Sequence, residues 1–224
     1  DGQPSVYLPV RKQGRSTISV VKGIKYAVSH LLDVPKQLVT KVVFDQSIFV
    51  KNAIQNLVLI GVIGLALTAG LILIFFGNLR ATMAVLLSIP LSVLATFVAL
   101  SLGDNTMNTM ILGGMALAFS RLIFNSVVVL ENIFRHLEMG ESPEVAAERG
   151  GNEVVLPVLA ATLATAVVFF PVTFLYGVSK FLFSALAIAV ILSLFASFFI
   201  ALTVVPLFCA KFLKANRTNG PGTP

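Results

Sequence analysis

An uncharged tract between Lys51 and Arg80 constrains the fold of this chain more than any other feature. Within it, residues 55–77 are mostly Leu, Ile, Val, Ala and Gly, and a helix of that length crosses bilayer hydrocarbon at about 1.5 Å per residue. Similar tracts follow at residues 82–103, 107–134, 154–179 and 181–210. The sequence therefore predicts a mainly α membrane protein with five transmembrane helices.

The composition excludes an ordinary water-soluble domain, because 57% of the residues are hydrophobic and only 12% are charged. Burying all five helices inside a large soluble protein would require five successive helices without a polar face. Eight of the sixteen Lys and Arg residues fall in the first 51 positions, and few aromatic residues lie between them. We therefore expect a short polar head followed by membrane spans, and no nucleic-acid partner.

Basic residues are distributed unevenly between the short loops on the two sides of the predicted spans. One side carries Arg80, Arg135, Arg149, Lys211, Lys214 and Arg217, and the other carries Asp104 and Lys180. Because short cytoplasmic loops are enriched in Lys and Arg, the C-terminus is predicted to be cytoplasmic and the head to be periplasmic. Residues 215–224 are polar and rich in Gly and Pro, which predicts a flexible cytoplasmic tail.

The head, residues 1–51, has the pattern of a small α+β unit. Ser5 to Val10 and Val39 to Phe44 resemble short strands. Between them, apolar residues recur at helical spacing: Val20, Val21, Ile24, Val28, Leu31 and Leu32. A β-α-β fragment is predicted, and because about fifty residues make a marginal core, it should pack against something else.

Polar residues inside the third predicted span form the candidate site. Arg121, Asn125 and Asn132 fall on roughly one helix face, with Phe124 beside them, and we expect this stripe to face the bundle interior. The stripe has two interpretations: interhelical hydrogen bonding, or, for Arg121, pairing with an acid or lipid of another chain or a relic of transport. Neither residue can relay a proton, because Arg stays protonated at workable pH and the Asn amide does not titrate. Glu131 is expected at the cytoplasmic helix end.

Enzymatic chemistry is not expected. Cys209 is the single cysteine, and His30 and His136 lack the spacing of metal ligands. No nucleophile–base pair or phosphate loop is recognisable, so we predict neither a catalytic site nor a metal or cofactor.

Several sequence runs resemble one transporter family. Asn108 to Met110, Gly113 to Ala118 and Val127 to Ile133 are similar to the fourth transmembrane helix of resistance-nodulation-division (RND) efflux transporters, in the hydrophobe/amphiphile exporter branch. The second, third, fifth and sixth helices of that family resemble, in the same order, five further runs: Phe76 to Thr82, Ser88 to Leu91, Pro157 to Ala160, Phe170 to Val172 and Val205 to Ala210. The resemblance covers essentially the whole chain. It implies that the spans are helices 2–6 and that residues 1–51 end a ferredoxin-like porter region.

The resemblance also implies a function and its loss. Such transporters are trimeric, proton-driven exporters in the bacterial inner membrane that work with a periplasmic adaptor and an outer-membrane channel. Two consecutive aspartates of their fourth helix carry the proton relay, whose basic partner lies in the second half of the protein; the matching positions here are Phe124 and Asn125. We therefore expect an N-terminal-half segment that is not competent for proton-coupled export by itself. The alternative is a non-transporting accessory subunit, packed with lipids and other membrane chains in a larger complex.

Overall fold

The computed structural model describes residues 6–10, 16–30, 42–103 and 108–213, and in these ranges the chain is helical apart from short connections. The helices are α1 (Thr17–Ser29), α2 (Gln46–Phe76), α3 (Leu79–Leu102), α4 (Thr109–Glu138), α5 (Pro143–Val167), the 3₁₀ helix Phe170–Phe174, and α6 (Gly177–Phe212). Five segments are long and apolar enough to cross a membrane: α2, α3, α4, α5 with its 3₁₀ extension to Val172, and α6. The predicted five-span helical architecture is confirmed. The predicted tail, 215–224, lies outside the described residues.

Short polar residues fix where the long helices begin. Asp45 caps α2 by accepting a hydrogen bond from the Ser47 amide, and Asn108 caps α4 through the Ile111 amide. Asn78 caps α3, directly after Gly77, which ends α2 in the left-handed region at φ 59°. The connection between α2 and α3 is therefore only two residues long, which keeps these helices antiparallel neighbours.

The start of α5 combines three favourable features that are visible in the sequence. Ser142 accepts a hydrogen bond from the Val145 amide, Pro143 occupies the first helical position, and Glu144 lies in the first turn. The sequence predicts a span only from residue 154, but α5 continues without a break from Pro143 to Val167. The segment before residue 154 and the fourth span are thus one continuous helix.

The break between the last two spans lies ahead of the position predicted at Lys180. Helix α5 ends at Val167, a 3₁₀ turn containing Pro171 follows, and α6 begins at Gly177, whose φ is +66°. Proline removes a backbone donor, and a positive φ suits glycine, so the chain turns here. Lys180 lies in the first turn of α6.

Helix α4 is the centre of the bundle and contacts α2, α3, α5 and α6. Glycines permit the closest contacts. A Cβ atom added at Gly114 would lie 2.5 Å from the Leu186 carbonyl oxygen of α6, and one at Gly150 of α5 would lie 2.9 Å from Ile133 Cα. Five aliphatic core residues of α4 are at most 2% exposed: Ile111, Leu122, Val129, Leu130 and Ile133.

The predicted β-α-β fold of the head is wrong for the described residues. Helix α1 is present, but residues 6–10 and 42–45 form no strand, and Val6, Leu8 and Val43 are largely exposed. The two segments do not pair, and short strands are marginal without a larger sheet or a covering layer. Residues 5 and 39–41 of the predicted strands, and Leu31 and Leu32 of the helical pattern, lie outside the described residues.

Candidate functional site

A layer of buried polar side chains joins α3, α4 and α6 at mid-membrane level. Asn125 Nδ2 of α4 donates to Ser197 Oγ of α6 at 3.2 Å, and Ser197 Oγ donates to the Leu122 carbonyl at 3.3 Å. On the other side, the hydroxyls of Ser126 and Ser88 lie 2.7 Å apart, linking α4 to α3. We call Ser88, Asn125, Ser126 and Ser197 the polar layer. All four are at most 4% exposed, so successive residues of α4 tie it to two neighbouring helices.

Other buried hydroxyls extend from this layer but bond within their own helices. Ser92 and Thr96 of α3 donate to carbonyls four residues earlier, as does Ser193 of α6. This back-bonding satisfies a hydroxyl in an apolar environment without a partner helix. These groups therefore add polarity to the interior but no further links between helices.

The polar layer can hold helices in register, but it offers no proton carrier. Its members are three hydroxyls and one amide, and none of these groups changes charge between pH 5 and 8. Hydrogen bonds can be exchanged among them, whereas storing a proton at mid-membrane requires a carboxylate, a histidine or a similar group. The polar layer is therefore a set of hydrogen bonds that connects helices, with no group that stores a proton.

The predicted relay positions have different environments. Asn125 is 4% exposed inside the bundle, whereas Phe124 is 49% exposed on its outer surface. Arg121 is also exposed and lies over the Phe124 ring, with Cζ 5.8 Å from the ring centroid. The predicted stripe is therefore divided, because Asn125 faces the interior and Arg121 does not.

The remaining predicted residues lie at the end of α4. Asn132 Nδ2 donates to the Gly150 carbonyl at 2.8 Å and to Glu153 Oε2 at 3.1 Å. Glu131 is exposed on the outer side of the helix. Asn132 thus connects α4 to α5, where Gly150 allows the two backbones to approach.

A charged cluster around Asn132 was not anticipated from the sequence. Arg135 pairs with Glu153, Arg149 pairs with Glu141, each at 2.8 Å, and His136 Nδ1 lies 3.0 Å from Glu141 Oε2. His136 is 5% exposed, and its Nε2 lies 3.1 Å from Glu153 Oε2 without hydrogen-bond alignment. The signal available in the sequence was the density of charges on both sides of a short turn.

In the described parts of the chain, no group of three His, Cys, Asp or Glu residues is arranged to bind a metal ion. The thiol of Cys209 is free and buried in α6. The cluster around His136 therefore acts through ion pairs and hydrogen bonds between α4, α5 and the turn that joins them.

Five apolar helices with a polar, non-titrating layer at the centre define a polytopic helical membrane protein. The family model described as the AcrB/AcrD/AcrF family matches residues 1–222, and the chain belongs to that family. It is 31% identical over 221 residues to "Multidrug resistance protein MdtC" of Yersinia enterocolitica, covering 98% of this chain and 22% of the relative. The proteins of the same name from Yersinia pestis and Yersinia pseudotuberculosis are also 31% identical, over 96% of this chain and 21% of their own length.

The chain thus spans about a fifth of the length of these relatives. The resemblance to RND efflux transporters inferred from the helix motifs is confirmed by the family match.

Proposed function

We propose that this chain is a membrane segment of an RND-type multidrug or hydrophobe efflux transporter, and that it does not support proton-coupled export by itself. The lineage is supported by the family match and by relatives named as multidrug resistance proteins. The lack of proton coupling is supported by Phe124 and Asn125, which occupy the positions that resemble the paired aspartates of the family; Asn125 lies in the polar layer and Phe124 on the outer surface.

The observation that carries this proposal is the contrast between those two side chains. Phe124 presents an aromatic ring to the outside of the bundle, and the Asn125 side-chain amide donates a hydrogen bond to Ser197. Neither side chain titrates, so a proton arriving at this level has no site on which to reside. Drug movement that is driven by proton flux needs such a site, because the energy enters through protonation and release.

Restoring the acids tests the proposal. In the full-length gene product, the double change Phe124→Asp and Asn125→Asp should produce substrate-stimulated proton movement in inverted vesicles, where the unmodified protein gives only background fluorescence quenching. The matched control is Phe124→Asn with Asn125 retained, which introduces similar polarity but no titratable group.

Two results would contradict the proposal. Proton-coupled export by the unmodified protein would show that Phe124 and Asn125 do not disable a relay. Restored acids that insert and fold normally but move no more protons than the control would show that relay loss is not the cause.

The second candidate function is a non-transporting accessory subunit of a larger inner-membrane complex. It is favoured by the exposed Arg121–Phe124 pair, which puts an aromatic ring at one of the two relay positions and a permanent charge one helical turn before it. Purification from the native membrane in a gentle detergent, followed by mass spectrometry, separates the two candidates. An adaptor and an outer-membrane channel should accompany a transporter, whereas stoichiometric recovery with an unrelated complex indicates an accessory subunit.

The proposed orientation has a periplasmic head and a cytoplasmic C-terminus. Arg80 Nη1 donates to the Phe212 carbonyl at 3.4 Å, so the turn between α2 and α3 shares one end of the bundle with the end of α6. The turn between α4 and α5 lies at that end too, since a Cβ added at Gly151 would contact Pro206. This basic end is the one we assign to the cytoplasm.

A further inference from the structure

Helix α4 leaves one narrow stripe of its surface uncovered, although it contacts four other helices. Exposed residues recur along it every seven positions, at Met110, Leu117, Phe124, Glu131 and Glu138, with Arg121 and Arg135 between them. We call these residues the outer stripe. A seven-residue repeat, here divided into steps of four and three residues at Arg121 and Arg135, is the spacing at which a second helix packs along the first with a left-handed crossing. The outer stripe thus has the shape of an unoccupied helix-packing seam.

Arg121 lies at the middle of the membrane within that stripe. The apolar part of α4 extends from Met110 to Leu130, which corresponds to about 30 Å of helix, the thickness of the hydrocarbon core. Arg121 is one residue from the midpoint of this segment. Lipid phosphates on either side are therefore about 15 Å away along the helix axis, much farther than an arginine side chain extends. A lipid headgroup is not its counter-charge at this depth.

The counter-charge does not come from the five spans of this chain. The acidic residues of α2 to α6 are Glu131, Glu138, Glu144, Glu148 and Glu153, all at the end of α4 or the beginning of α5. Glu131, the first of them, is ten residues from Arg121, about 15 Å along the axis. Within the described residues the only interaction recorded for the guanidinium is with the Phe124 ring. An arginine always carries its charge, so it must be paired from outside.

We propose that the outer stripe of α4 packs against a transmembrane helix that presents a carboxylate to Arg121. Charge complementarity identifies this occupant, because a guanidinium in hydrocarbon is best matched by the two oxygens of an ionised Asp or Glu. The seven-residue spacing identifies it as a helix. The ring of Phe124 lies beside the guanidinium, 5.8 Å from ring centroid to Cζ, in a cation–π contact. The pairing holds for a transporter and for an accessory subunit alike, so it does not depend on the proposed function.

Zero-length cross-linking in the native assembly tests this proposal. Arg121→Lys supplies a primary amine at the same depth, and a hydrophobic carbodiimide condenses that amine with a contacting carboxylate while taking up the water as a urea. Mass spectrometry of the digested complex should find residue 121 joined by an amide bond to an Asp or Glu within an apolar helix outside residues 42–213. Leu117→Lys, one turn away on the outer stripe, is the matched control and should give no such product.

Charge changes provide a second readout that does not depend on the cross-linker. Where the partner helix belongs to a separate chain, Arg121→Leu should reduce the amount of that chain that co-purifies by about tenfold or more, because the partner carboxylate is left buried and unpaired. Replacing that carboxylate with Leu as well should recover most of the loss. Conversely, Leu94→Ala, at an exposed leucine of α3 outside the outer stripe, should change co-purification little.

The proposal is overturned by either of two outcomes. One is a folded Arg121→Lys variant whose amine links to no carboxylate or only to a lipid headgroup. The other is an Arg121→Leu variant that retains its partner as well as the unmodified chain does.

Discussion

At the residue scale, Asn125 is the side chain that most directly connects two spans. Its amide donates to Ser197, and the measured coupling of such pairs in membranes averages about 0.6 kcal/mol and rarely exceeds about 1.7 kcal/mol. A double-mutant cycle with Asn125→Ala and Ser197→Ala should therefore give a coupling free energy within that range. Equilibrium unfolding in mixed micelles with increasing SDS is the measurement. The polar layer is thus predicted to specify register more than to supply stability.

The matched control for this cycle is Thr203, a hydroxyl of the same helix α6. Thr203 is exposed and donates to the Phe199 carbonyl of its own helix. Asn125→Ala combined with Thr203→Ala should be additive, because the two sites share no contact. Equal coupling in both cycles would mean that the loss at Asn125 reflects general loosening of the bundle instead of a specific hydrogen bond.

A second residue-scale prediction concerns Asp45, which caps α2 outside the membrane spans. The Lys25 ammonium, which donates to the carboxylate, is the largest cause that lowers the pKa of Asp45 from 3.8 to about 2, and the Ser47 hydroxyl is the next. A lowered folded-state pKa means that the stabilisation is fully present above pH 3.8 and is lost as the pH falls toward 2. The difference in Tm between the unmodified chain and Asp45→Ala should therefore be constant above pH 3.8 and shrink below it.

Asp45→Asn is the control for that titration. The amide still accepts the hydrogen bond from the Ser47 backbone but carries no charge, so the Tm difference between Asp45→Asn and Asp45→Ala should not change through this window. If the Tm difference between Asp45→Asn and Asp45→Ala did change through this window, the acid sensitivity would belong to another group of the head.

At the element scale, the central position of α4 depends on where its glycines lie. Gly114→Ala would place a methyl group 2.5 Å from the Leu186 carbonyl oxygen, and because the obstruction is backbone, α4 and α6 must separate. We expect a loss of about 1–3 kcal/mol, typical of overpacked sites. The adjacent Gly113 has nothing within 4 Å of an added Cβ, so Gly113→Ala should be neutral or stabilise the helix by up to about 1 kcal/mol. Unfolding in mixed micelles compares the two, and an equal effect would refute close packing at Gly114.

The same helices show how much of the fold could be predicted. The spans followed from length and apolarity alone. Which small residues mark contacts did not follow: Ala66 and Gly70 have the same four-residue spacing as Gly114 and Ala118, but Gly114 is packed against α6 whereas Ala66 is exposed. Four-residue spacing describes a surface that can be approached closely, and only the tertiary arrangement decides whether a neighbour is there.

The candidate site was predicted less completely than the spans, for a related reason. A helical projection places Arg121 and Asn125 within one broad face, but the edge of the interface runs between them, and periodicity does not locate an edge. The strands predicted in the head failed because a strand is stabilised by its neighbours, and the described segments have none. Local patterns were reliable for helices, whose backbone bonds are internal.

At the scale of the whole molecule, an odd number of spans predicts that the segment before α2 and the segment after α6 lie on opposite sides of the membrane. The distribution of basic residues predicts which side is which. Met139, in the turn between α4 and α5, is 61% exposed, and Tyr176, between α5 and α6, is 88% exposed. In the predicted orientation Met139→Cys faces the cytoplasm and Tyr176→Cys faces the periplasm. A membrane-impermeant maleimide added to spheroplasts should therefore label Tyr176→Cys, and should label Met139→Cys only after permeabilisation.

The native thiol of Cys209 is fully buried and gives little background. The opposite labelling pattern would mean that the head is cytoplasmic, and equal labelling before permeabilisation would mean that α5 does not span.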